Sequence, residues 1–147
     1  MEHTFGQQLR VKAIEKPFSG DPLENLDWIC KSLGFMEQID KNKVAVAIFR
    51  ELLRAGAEGR PLTSAQLVTS VKMSRGSVVN HLNKLQRSGL IVKKGRYYAA
   101  RSKSLYRIIE EIEADSKRIF ENMKKTATGI DAELGINAAK KATNKFI

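Results

Sequence analysis

Cysteine is almost missing from this chain. Its 147 residues hold one, Cys30, so no internal disulfide can form and a reducing cytoplasm is the expected setting. Histidine is nearly as scarce. His3 and His81 are the only two, and with Cys30 they form no ligand-spaced cluster, so no metal is expected. No stretch approaches the ~18 consecutive apolar residues of a membrane span. The first residues also lack the apolar core of a secretory signal. Phosphate-cradling glycine loops, metal motifs and nucleophile–base pairs are absent too, which argues against an enzyme and against a cofactor. The most informative absence is acidic. Between Gly59 and Ile109 there is no Asp or Glu, yet the span carries Arg60, Lys72, Arg75, Lys84, Arg87, Lys93, Lys94, Arg96, Arg101, Lys103 and Arg107. The whole chain has 26 basic and 16 acidic residues, net +10; with these 11 set aside, 15 basic residues face all 16 acidic ones. The entire basic excess therefore sits in one stretch. A merely solvated surface mixes its signs, so a polyanion-binding face is the better reading.

The residues within that stretch have a definite order. Thr63 and Gln66 stand at capping-box spacing, with Leu62 and Leu67 around them as a possible hydrophobic staple. The spacing predicts a helix over Ser64 to Val71, with Leu67, Val68 and Val71 inward. Lys72 and Met73 make a turn, and Ser74 is a good N-cap for a second helix, with Met73 and Val78 at staple spacing. Val78, Leu82 and Leu85 form the buried stripe of that helix, with Val79 beside it. Its other side carries Arg75, Ser77, Asn80, His81, Lys84 and Arg87. Gly89 stops it. Leu90 to Lys93 and Arg96 to Ala100 then read as two short strands joined at Lys94-Gly95. Helix, turn, helix and small basic hairpin is the layout of a winged helix-turn-helix.

The flanks complete a fold that is mainly α with a small β-hairpin wing. Residues 1–22 read as an arm and linker, in which Leu9, Val11 and Ala13 alternate with Arg10 and Lys12 as a short edge strand or a mobile arm. Leu23 to Leu33 has a helical pattern closed by Gly34; Trp28 in it suits a core or subunit interface better than a ligand pocket. Asp40 is a plausible N-cap, with Ile39 and Val44 at staple spacing, for a helix whose apolar rows are Val44, Ile48, Leu52 and Ala45, Phe49, Leu53. The winged domain with its preceding helix thus spans 23–103. Over 104–130, Ser102 or Ser104 caps a long helix that runs to about Thr128, with Gly129 at its end. Leu105, Ile109, Ile112, Ser116, Ile119, Met123, Thr126 and Ile130 follow a heptad seam, which makes this helix the expected site of dimerisation. Residues 131–147 form a tail with weak helical character, containing Lys140, Lys141 and Lys145.

MSRGSVVNHLNKLQRSGLI resembles the recognition-helix segment of archaeal and bacterial winged-helix transcriptional regulators, notably the ArsR, MarR and TrmB groups. The likeness rests on Ser74, Ser77-Val78, His81-Leu82, Leu85 and Gly89-Leu90-Ile91. It covers about a quarter of the chain and is specific for the module rather than for one group. It implies a homodimer, paired through terminal helices, that binds duplex DNA and represses transcription by default. The paired cysteines that give some ArsR-type proteins metal sensing are absent, so the effector, if one exists, is unknown.

Phosphate contacts supply affinity and base-edge contacts supply sequence preference. With the amino end of the second helix in a major groove, Arg75 and Asn80 are the preferred base readers, since Arg pairs with guanine and Asn with adenine. Ser74, Ser77, His81, Lys84 and Arg87 lie near bases or backbone, and Gly76 removes bulk there. His81 either faces DNA or packs at the helix edge. Lys93, Lys94, Arg96 and Arg101 would meet the adjacent backbone or minor groove. Two other partners fit the same basic face: structured RNA or the ribosome, and an acidic protein bound by a winged interaction module.

Overall fold

The structure is a computed structural model that describes residues 11, 13–18, 20–34 and 43–137. The chain divides into two compact units, Met1–Ile108 and Ile109–Ile147.

In the first unit, helix α1 (Pro22–Ser32) begins where Asp21 accepts a hydrogen bond from the Leu23 amide and Pro22 takes the first turn, where its missing N–H costs nothing. It ends as expected at Gly34, whose φ of 82° turns the chain away. The residues before it form no strand at positions 11 and 13–18. Instead the Trp28 indole donates to the Ile14 carbonyl at 2.8 Å and ties that extended segment to the helix. Cys30 is buried beside Asp27. Burial first, and the Asp27 carboxylate second, push its thiol up to about 12, so it is not a reactive thiolate.

Helix α2 (Val44–Ala57) is the centre of the unit. Its expected rows are buried at Val44, Ala45, Ile48, Phe49 and Leu52, but Val46 and Ala55 are buried as well, while Leu53 is half-buried. A helix covered on nearly every side has several neighbours, and α2 packs on α1, on both helices of the basic stretch and on the wing. Its N-cap is Lys43 in the left-handed region, with no side-chain cap. Asp40 and Ile39, expected at this end, lie outside the described residues.

Strand β1 (Leu62–Thr63) leads into α3 (Ser64–Val71), then α4 (Arg75–Ser88), β2 (Ile91–Lys94) and β3 (Tyr97–Ala100). Both helices have the bounds their caps predict. Thr63 Oγ1 accepts from the Gln66 amide at 3.2 Å, and Gln66 Oε1 accepts from the Thr63 amide at 2.8 Å. The hairpin differs by one residue from the expected turn. Lys94 pairs with Tyr97, so the loop is Gly95-Arg96 rather than Lys94-Gly95. Gly95 has φ 62° and Arg96 does not share that sign, the pattern of a two-residue turn that requires glycine in its first place. β1 was not expected as a strand. It pairs with β3 through Leu62 opposite Tyr98, giving a three-stranded antiparallel sheet in the order β1-β3-β2.

Ser104 starts helix α5 (Leu105–Glu133) by accepting from the Arg107 amide. Ile108 is fully buried within the first unit. The second unit is the rest of this helix together with the residues beyond it. The helix does not stop at Gly129 but continues to Glu133, because Gly129 keeps helical backbone; Gly135, with φ 78°, makes the turn instead. Lys140, Lys141 and Lys145 lie outside the described residues. No described helix is long and apolar enough to cross a membrane.

Phe49 is fully buried at the centre of α2, among the elements that hold the recognition unit. Phe49→Ala is expected to cost about 3–5 kcal/mol in urea-melt stability, a large share of the ~5–15 kcal/mol of a small domain. A cost below about 1 kcal/mol would mean that α2 is not the hub described.

Candidate nucleic-acid interface

Helix α4 has two faces that do different work. Val78 and Leu82 are fully buried and Leu85 nearly so, pinning one face to the core. The opposite row, Gly76, Asn80, Asn83, Lys84 and Arg87, is exposed along its whole length. Arg75 is exposed at the amino end, while Ser77 and His81 are half-buried on the flank between the faces. The structure thus brings Asn80, Lys84 and Arg87 onto one open face, with Arg75 exposed at its amino end. Asn83 belongs with them and was not expected from the sequence. Its position three residues after Asn80 and four before Arg87 was signal enough.

The amino end of α4 is shaped for an anion. Ser74 caps it by accepting the Ser77 amide at 3.1 Å, which leaves the Ser74 hydroxyl proton free to donate outward. The unsatisfied amides and the positive end of the helix dipole lie in this same turn. Gly76 sits there too. A Cβ at Gly76 would meet nothing within 4 Å, and its backbone does not need a positive φ. Neither packing nor turn geometry therefore calls for glycine at a place where it costs helix stability. Close approach by something outside the chain would account for it.

His81 lies at the edge of the helix. The residue is half-buried, and its Nδ1 is enclosed with no hydrogen-bond partner among the described residues. Arg101, half-buried after β3, donates its amide to the Leu90 carbonyl at 3.0 Å, which holds the strap after the wing against the end of α4. On the wing itself Lys93, Lys94 and Arg96 are exposed. The Lys93 ammonium lies 5.5 Å from the centre of the Tyr98 ring, and the Arg96 guanidinium lies 5.5 Å from the centre of Tyr97. Aromatic contacts of this kind hold long cationic side chains near the turn without neutralising them. Among the described residues no group of His, Cys, Asp and Glu could hold a metal ion.

Residues 50–93, from the second turn of α2 to the wing, match the family model described as bacterial regulatory protein, arsR family. This segment is similar to an ArsR-type helix-turn-helix domain. No significant match to a curated protein or a solved structure accompanies it. The match spans less than half of the chain and falls on the elements that display the cationic face. With the three-stranded wing sheet, it places the ArsR-type segment in a winged helix-turn-helix unit and supports a DNA-binding transcriptional regulator.

Gly76→Ala is expected to raise stability by about 0.5–1 kcal/mol, since alanine is the better helix former and has room. Chemical denaturation checks this. A loss of stability would show that the chain itself needs glycine there.

Proposed function

We propose that this protein binds duplex DNA as a homodimer and regulates transcription, with α4 in the major groove and the wing on neighbouring backbone. The observation that carries the proposal is the open face of α4: it offers Asn80, Asn83, Lys84 and Arg87 together, with Arg75 exposed at its amino end, and the span Gly59–Ile109 that contains it holds no acidic residue. Arg75 and Asn80 are the base readers in this reading, with Asn83 beside them. Ser74, Ser77, His81, Lys84 and Arg87 stand against backbone or adjacent bases. Lys93, Lys94, Arg96 and Arg101 take phosphates around the wing. Gly76 lets the backbone of α4 come close to a phosphate. Repression by promoter occlusion enters through the resemblance to winged regulators.

The dimer is proposed on α5. Leu105 and Ile109 are half-buried and Ile112 is 2% exposed, so less of this end of the expected seam is open to a partner. Further along, Ile119, Phe120, Met123, Ile130 and Leu134 have between 50% and 68% of their surface exposed. Phe120, Met123, Ala127, Ile130 and Leu134 recur at alternating steps of three and four, a continuous seam in which Ala127 replaces the polar Thr126 of the expected row. An apolar row of this length is the mark of a partner surface, and a second copy supplies an identical row. Ile119 and Met123 remain in the proposed contact. Two recognition helices joined in this way favour a near-palindromic site, with half-sites about one DNA turn, ~34–36 Å, apart.

Selection of fragments from a genomic library, at moderate salt with excess competitor, is expected to recover a shared, near-palindromic site. Arg75→Ala with Asn80→Ala should erase the site preference while retaining nonspecific binding. Lys93→Gln with Lys94→Gln should weaken all sequences alike and lower the salt slope by about 1 for each phosphate no longer neutralised. Unselected fragments, or preference for structured RNA, would overturn the reading. Sedimentation should give a dimer that Met123→Glu with Ile130→Glu converts to a monomer; a monomeric parent protein would overturn the α5 contact.

A further inference from the structure

The wing sheet has a second face, of which the DNA reading uses only Lys94. Pairing of Lys94 with Tyr97 and of Val92 with Ala99 puts these four on one side of the hairpin, while Ile91 and Tyr98 are buried on the other. Val92 and Tyr97 are 43% and 40% exposed, an apolar surface in the middle of the most cationic part of the chain. A groove of about 400 Å³ lies over this face, walled by Gly56, Gly59, Arg60 and Pro61 from the end of α2 and its loop, and by the strap Arg101 to Lys103. That volume is within the ~300–1,000 Å³ of small-molecule sites.

Its chemistry is one-sided. Val92, Tyr97, Ala99 and Pro61 supply apolar surface; Arg60, Lys94, Arg101 and Lys103 supply charge; no acidic residue lines it. Arg60 is engaged by Glu58 at 2.9 Å, so Lys94 and Lys103, both exposed, are the cations best placed to meet a ligand. Gly56 enlarges the groove from above. It lies within α2, and a Cβ on it would meet nothing within 4 Å. A sheet surface is flat, and its floor carries a tyrosine ring. Flat apolar floor and a rim whose cations outnumber the one neighbouring carboxylate, Glu58, together define the ligand.

We propose that this groove binds a small planar organic acid, its ring on Val92, Tyr97 and Ala99 and its carboxylate on Lys94 and Lys103. Lys94 and Arg101 are also phosphate contacts in the proposed DNA complex, so the acid and the duplex compete. The competition rests on the DNA reading; the site itself does not.

The test is a titration of the full-length protein with 2-naphthoate, followed by methyl NMR, with the neutral 2-naphthylmethanol as a control of the same shape. Saturable shifts are expected at Val92 and Ala99. Affinity for naphthoate should fall about five- to tenfold in a Lys94→Gln, Lys103→Gln variant, as expected for the loss of two partly exposed ion pairs, with little change for the alcohol. Gly56→Leu, which fills the groove and leaves every cation in place, should abolish binding of both. Shifts confined to the apolar row of α5, equal binding of acid and alcohol, or indifference to Gly56→Leu would overturn the site. In a second arm the selected duplex is added: it should displace naphthoate. Naphthoate that binds equally to free and DNA-bound protein would overturn the competition alone. A protein that binds naphthoate as described but no duplex would sink the DNA reading and the competition with it, leaving the acid site standing.

Discussion

Burial of α2 on nearly all sides is the constraint on which the rest of the first unit depends. Val46, Ile48 and Phe49 are fully covered and Leu52 is 1% exposed, and with the consecutive residues Val44, Ala45 and Val46 all buried these positions do not fit a single narrow stripe. Such a helix cannot be covered by one partner. It draws α1, α3, α4 and β3 around itself, and each of those elements is left with one face committed and one face spare. For α4 the committed face is Val78, Leu82 and Leu85. The spare one holds the amides and cations. Interface geometry is thus a by-product of how the core is filled.

Charge completes what packing begins. Eleven cations within Gly59–Ile109, unrelieved by any acid in that span, repel one another and oppose folding. The fold lowers that cost by spreading them over α4, the wing and the strap, and by laying Lys93 and Arg96 against tyrosine rings. A polyanion relieves the repulsion fully, and counterions released from it favour association further. The capped amino end of α4 adds directional donors to this diffuse attraction. Affinity and orientation therefore come from different features of one surface.

Much of this unit was legible because its signals are local. A capping box and a serine cap fixed the starts of α3 and α4, a glycine fixed the end of α4, and three-four spacing identified Val78, Leu82 and Leu85. What escaped was decided by distant partners or by competing local options. β1 is two residues long and exists only because β3 lies alongside it. The turn moved one residue because cross-strand pairing of Lys94 with Tyr97, rather than composition, sets which residues are the loop. Gly129 looked like a helix end, yet glycine inside a helix costs only about 1 kcal/mol and the surrounding turns carry it through. Of the interface, the cationic residues were visible as a block, whereas Asn83 carries no charge and stands out only as a member of the exposed row. The acid-binding groove had no linear signature: Gly56, Val92 and Lys103 meet only when the sheet has formed against α2.

Mapping by amide chemical shifts tests the central claim most directly. Isotope-labelled protein titrated with a selected duplex should show its largest changes over Ser74–Arg87 and around Lys93–Arg101, with α1 and the interior positions of α2 nearly still. Changes concentrated on α1 or along the apolar row of α5, with Arg75, Asn80 and Asn83 unmoved, would contradict the assignment of α4 and the wing as the surface that reads DNA.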